Sequence, residues 1–347
     1  MLIDLAARRR VLFFGGKGGV GKTTTAAALA LARAQAGSKV LLISTDPAHS
    51  LGHLFGVSIG DSAREIAPGL DACELDPEQT MQTHLEAAGR TIRRLMPDHL
   101  GEEVAKHLSL ARAAPGAAEA AILERLADLI QGAPQVYDLV VVDTAPSGHT
   151  VQLLSMPSVV SAWTDDLLRR QDRSRRFDDA MANLDRRPTE TDPGADVVPK
   201  PQRGRGRVRR AFAVSKVGPR PQRDAEIREI LLRRQSRFDN LRSVMTDRDN
   251  TGFVVVLAAE RLPVLETIDL HGHLHRLGAG VSALVVNRRA PVSAGDFWSQ
   301  RRADEETHLA VLRQALPECP IVQIPLFPRE PLGASGLADV ISKLCSG

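Results

Sequence analysis

The chain predicts an α/β fold: a doubly wound, mainly parallel sheet with a helical subdomain beside it. Three observations support this. Short, wholly apolar runs such as Val11–Phe14, Val40–Ile43 and Leu139–Val142 have the length and composition of strands buried on both faces. Stretches of helical pattern separate them, the alternation expected of a parallel sheet. A glycine-rich turn, Gly16-Lys17-Gly18-Gly19-Val20-Gly21-Lys22-Thr23, joins the first apolar run to the Ala- and Leu-rich stretch Thr24–Arg33.

That turn fits G-x-x-x-x-G-K-[ST], placed between a strand and a helix as its chemistry requires. Backbone N–H groups of Gly16, Gly18, Gly19, Val20, Gly21, Lys22, Thr23 and Thr24 can converge on one point, where the helix N-terminus adds partial positive charge. Lys22 is placed to reach the β- and γ-phosphates, and the Thr23 hydroxyl to ligate Mg²⁺. ATP and Mg²⁺ are therefore the expected ligands. Lys17 is a second lysine in the turn. With Lys22 already serving its own phosphates, Lys17 is better placed to project across an interface to a partner's nucleotide, as a trans-acting arginine does.

Two further strand ends carry aspartates. Val40–Ile43 leads into Ser44-Thr45-Asp46-Pro47-Ala48-His49-Ser50-Leu51, and Leu139–Val142 into Asp143-Thr144-Ala145-Pro146-Ser147-Gly148-His149-Thr150. Asp143, ending an apolar strand, suits the Mg²⁺ shell, through water. Asp46 is a candidate for the attacking water, although Asp-Pro also favours an Asx-turn. His149 is either a hydrogen-bonding member of its segment or a polar loop residue. Asn287 follows the strand Val281–Val286, and its amide carries both a donor and an acceptor.

These motifs together resemble the ArsA family, the arsenite-pump ATPases and the targeting ATPases for tail-anchored membrane proteins. The doubled-lysine loop resembles the wider group of dimeric ATPases to which that family belongs. STDPAH and DTAPSGHT are similar to its two switch segments. The likeness continues through Pro115–Ala120, Thr251–Val256, Leu265-Glu266-Thr267, Val285-Val286-Asn287 and Ile324-Pro325-Leu326-Phe327. It implies a homodimer closing around two ATP molecules, with Asp46 and Lys22 catalytic, the partner's Lys17 completing the site, and Asn287, Pro325 and Phe327 at the adenine. Ser50 and His53 depart from the pattern, which often has Asn and an acidic residue there. Arsenite pumps carry two such halves in one polypeptide, whereas this chain shows one P-loop and no internal repeat.

The resemblance and the patterning divide the chain. Residues 1–75 and 134–157 are expected to form the first part of the ATPase core, residues 251–347 the second, and residues 76–133 and 158–250 the helical subdomain. Within the last, residues 78–130 read as helix broken near Pro97 and Pro115, and Val159–Leu184 as helix. In Asp224–Met245, residues Ile227, Leu231, Phe238, Leu241 and Met245 share one face. Between these two, residues 186–223 hold nine arginines and six prolines with few large apolar side chains, and are expected to form a flexible loop.

Composition narrows the function further. The net charge of +3 is mild, and aromatics, at 3 %, are too few to interleave with the arginines as nucleic-acid stacking requires. Cys73, Cys319 and Cys345 lie far apart without a C-x-x-C pair, which fits a reducing cytoplasm and offers neither a zinc bridge nor an evident metalloid site. Six methionines do not make a Met-rich groove for a membrane segment. No apolar stretch is long enough to span a membrane, and the N-terminus has no apolar signal core, so the expected location is the cytoplasm. The expected role is a Mg²⁺-dependent homodimeric ATPase coupled to anion or metalloid transport with a membrane partner. The alternatives are a targeting factor for tail-anchored proteins and a regulatory switch of the ParA/MinD kind.

Overall fold

A computed structural model of the chain describes residues 2–46, 50–95, 109–110, 112–113, 116–144, 220–292 and 295–346. The apolar runs form the strands β1 (Val11–Gly15), β2 (Val40–Ser44), β5 (Leu139–Asp143), β6 (Thr251–Ala258) and β7 (Val281–Arg289). Strands β3 (Arg64–Ala67), β4 (Leu70–Glu74) and β8 (Ile321–Pro325) complete the eight-stranded sheet of the described residues. Its order is β3-β4-β2-β5-β1-β6-β7-β8, parallel throughout except for the β3–β4 pair. The expected α/β fold is present.

Because β1, β2 and β5 are buried on both faces, their side chains feed two apolar cores. On one face Leu12, Phe14, Leu42 and Val141 meet α1 (Leu2–Ala7), α2 (Lys22–Gln35), α3 (Ser50–Phe55) and α9 (Gly333–Ser346). The helix α2 is Ala-rich, which suits both helix formation and close seating on the sheet. On the other face Phe13, Ile43, Val142 and Phe253 meet α5 (Ala117–Gly132), α6 (Arg220–Thr246), α7 (Arg261–Arg276) and α8 (Asp296–Ala315). The remaining helix, α4 (Pro77–Leu95), packs against α5.

The helix expected over 224–245 is α6, and Phe238, Leu241 and Met245 on its anticipated face are buried. Its start corrects one boundary. Arg220, Pro221 and Arg223, expected in the Arg/Pro-rich loop, are the first turn of α6, where proline is tolerated because its missing N–H has no helical partner. The rest of that loop and the helix expected over 159–184 lie outside the described residues. The inner faces of α5 and α6 join the same core as β1 and β6.

Phe13 and Phe253 stack across β1 and β6 with ring centroids 4.9 Å apart, next to the start of the glycine-rich turn. Phe253→Ala should lower unfolding free energy by about 3–5 kcal/mol, measured by urea denaturation, since it leaves a cavity at the centre of the sheet.

Candidate functional site

The site lies at the carboxyl ends of the parallel strands, where an open α/β sheet binds ligands. As β1 ends, Gly16 passes so close to β6 that a Cβ would lie 2.0 Å from the Val256 carbonyl oxygen. Any side chain there would drive the loop off the sheet. Gly21 closes the turn with φ +90°, and a Cβ there would meet the Asn287 amide nitrogen at 2.3 Å. Gly18 and Gly19 are exposed, Val20 is buried beneath the loop, and Lys22, Thr23 and Thr24 open α2. Lys22 is almost fully buried, and its ammonium donates to the Lys17 carbonyl at 3.1 Å. Burial pulls its pKa below the ordinary lysine value, against the attraction of Asp143 and Asp46.

Three strand tips are tied together around this turn. Thr144 donates through its hydroxyl to the Phe14 carbonyl at 2.7 Å, and the Thr45 N–H to the Asp143 carbonyl at 3.0 Å. Asp46 follows, half-buried, its N–H donating to the Ser44 hydroxyl at 3.2 Å. Asp143 itself is fully buried. Its Oδ2 accepts from the Thr23 hydroxyl at 2.6 Å, whereas its Oδ1 has no hydrogen-bond partner among the described residues. Burial pushes its pKa up to about 7, against the Thr23 hydrogen bond and the Lys22 charge. A hydroxyl and a carboxylate with one open oxygen, both hard donors, fit a hydrated Mg²⁺.

The residues expected at the base lie on the β6–β7–β8 side. Asn287 donates from Nδ2 to the Val20 carbonyl at 2.8 Å, and its Oδ1 accepts from the Arg288 N–H at 2.8 Å. It thus buttresses the turn, with a second amide hydrogen and a second lone pair left over. Pro325 ends β8, and Phe327 packs partly into the core beside it.

Lys17 is exposed and pairs with Glu266 on α7 of the same chain at 3.0 Å. Sequence reasoning did not assign Glu266 a role, and with 249 positions between the two, no local signal could have done so. Glu74 was also missed. Buried at the end of β4, it accepts from the N–H groups of Leu51 and Gly52 and so holds the start of α3, which contains Ser50 and His53. Pro47, Ala48, His49 and residues 145–150, including Gly148 and His149, lie outside the described residues.

A phosphate-cradling turn between β1 and α2, with a hydroxyl, a lysine and a carboxylate converging beside it, defines a P-loop nucleotide-binding protein. Comparison with known proteins makes this more particular. The sequence profile of the ArsA family, described as anion-transporting ATPase, matches residues 9–211 and 207–346, so the chain belongs to that family of ATP-hydrolysing enzymes. It is 26 % identical over 331 residues to a protein of Aquifex aeolicus provisionally named arsenical pump-driving ATPase 2, covering 95 % of this chain and 97 % of that one. It is 26 % identical over 343 residues to the arsenical pump-driving ATPase of Escherichia coli, covering 96 % of this chain but only 49 % of that protein, about half its length. The ATPase GET3 of Pyricularia oryzae is 29 % identical over 333 residues, covering 94 % of this chain and 88 % of that one.

The Asp143 environment sets a pH dependence for the nucleotide-free protein. A carboxyl whose folded pKa is about 7, against 3.8 ordinarily, binds its proton more tightly when folded. Its contribution to stability is therefore full below pH 3.8 and is lost as pH rises through about 7, a fall on the order of 4 kcal/mol. Asp143→Asn should flatten this slope in urea titrations run without nucleotide or metal. An unchanged slope would assign it to other groups.

Proposed function

We propose that the chain is a Mg²⁺-dependent ATPase that works as a homodimer in the cytoplasm and couples hydrolysis to anion or metalloid transport with a membrane partner. The observation that carries the catalytic part is the meeting of Lys22, Thr23 and Asp143 at the tips of β1 and β5. Thr23 and Asp143 would hold Mg²⁺, the latter through water, and the ion would neutralise charge on the transferred phosphoryl group. Lys22 would turn from the Lys17 carbonyl to the β/γ-phosphates. Asp46 would accept a hydrogen bond from the attacking water and point a lone pair of that water at the γ-phosphorus. Asn287, Pro325 and Phe327 would receive the adenine.

Lys17 would act in the partner's site, exchanging Glu266 for a phosphate oxygen across the interface. Lys17→Ala should leave ATP affinity within about threefold and lower turnover on the order of 10³-fold, the scale of a trans-acting cation. Unchanged steady-state ATPase rates would remove Lys17 from the reaction.

The transport reading draws on the family description and the pump-driving relatives. Metalloid capture by clustered thiols draws no support from the described residues, where Cys73 and Cys319 are buried and Cys345 is exposed. No helix among those residues is long and apolar enough to cross a membrane, so a transport path would belong to the partner. Targeting of tail-anchored proteins is the rival reading, favoured by the similarity to ATPase GET3 over nearly the whole chain. Asp46→Asn protein held with ATP and used as bait on detergent-solubilised membranes separates the two. Recovery of a multi-spanning protein supports transport, and recovery of single C-terminal membrane anchors supports targeting.

A further inference from the structure

Beside the nucleotide turn, β7 breaks its own alternation. Leu284 and Val286 face the core shared with α8, so the next even-numbered residue, Arg288, should follow them and Arg289 should face the opposite way. Instead Arg288 adopts φ +57°, the only positive φ of a non-glycine residue among those described. The pairing register passes from Val286 opposite Gln323 to Arg289 opposite Pro325, three steps on β7 against two on β8. One extra residue is therefore accommodated, and such a bulge re-aims the side chains that follow it. Asn287 is left facing the Val20 carbonyl, and Arg289 turns toward α8.

Arg289 is 2 % exposed, and each edge of its guanidinium is engaged. Nε donates to Gln323 Oε1 on β8 at 2.9 Å, and the two terminal nitrogens donate to Glu305 and Glu306 on α8. Glu305, itself buried, also accepts from the Ala290 N–H. The Arg289 carbonyl accepts from the Leu326 N–H at 2.9 Å, between Pro325 and Phe327. A single side chain and its own peptide group thus join the β7 tip, the β8 tip and α8. A non-glycine residue in this conformation is strained and persists only when its surroundings over-determine it. The Arg289 fork supplies that determination.

We infer that Arg289 is a positioning residue for nucleobase recognition. It holds the Arg288 bulge in place, and so sets Asn287 on one side and Pro325–Phe327 on the other at the spacing that admits the base. This rests on the assignment of Asn287, Pro325 and Phe327 to the adenine. Lysine cannot replace arginine here, because an ammonium cannot engage Gln323, Glu305 and Glu306 in one plane.

The test compares ATP with inorganic tripolyphosphate, which uses the turn but has no base, as ligands of the purified full chain in the presence of Mg²⁺. Arg289→Lys should weaken ATP about tenfold and tripolyphosphate less than twofold, and should narrow the preference for ATP over GTP. Gln323→Ala keeps both ion pairs and should shift the same ratio about threefold, so it serves if Arg289→Lys does not fold. Asn287→Ala tests the underlying assignment: loss of its bond to Val20 acts on both ligands, but loss of a base contact acts on ATP alone. If Asn287→Ala changes the ratio and neither Arg289→Lys nor Gln323→Ala does, the positioning role is overturned. If Asn287→Ala leaves the ratio unchanged, the base assignment fails, and the role built on it fails too. A lowered Tm with the ratio intact would make Arg289 a stability element only.

Discussion

The site depends on a carboxylate kept almost wholly out of water. Asp143 ends the β5 strand between β1 and β2, where the apolar packing that forms the sheet also removes its solvent. Thr23 and Lys22 offset part of that desolvation, yet one oxygen has no hydrogen-bond partner among the described residues. A buried, half-satisfied carboxylate is costly for folding alone and suited to holding a cation. The cost this burial adds to folding and the cation chemistry it suits therefore have the same origin.

The backbone around that carboxylate is fixed by close approach more than by strong bonds. Gly16 touches the Val256 carbonyl so nearly that the turn is held against β6, and Gly21 leaves room for Asn287 to grip Val20 from the other side. The turn is thereby fixed to β6 and β7, strands more than two hundred residues away in sequence. Asn287 joins β7 to the turn, and Arg289 and Glu305 join β7 to α8.

Much of this was legible in the sequence, for physical reasons. Strands buried on both faces must be apolar throughout, so Val40–Ile43 and Leu139–Val142 declare themselves. The phosphate turn is a local structure with local requirements, and eight consecutive residues specify it. By contrast Arg64–Ala67 is an exposed edge strand with two charged residues, and Leu70–Glu74 includes Asp71 and Glu74, so neither reads as a strand. Glu74 stands there as an acceptor for the start of α3, a demand from 23 positions upstream. The amide of Asn287 is visible in the sequence as a donor and acceptor, but its bond to Val20 spans 267 positions and leaves no local trace. The Arg289 cluster depends on a one-residue irregularity in strand pairing, which no hydrophobic period reveals.

The two borders of the sheet differ from its interior. On one side lies β3, four residues long, antiparallel and irregular in register; on the other lies β8, five residues long, preceded by Pro320 and ending in Pro325. Brevity, irregular pairing and proline are each poor templates for adding a strand from another molecule. Among the described residues, neither border of the sheet is therefore a ready template for fibrous growth.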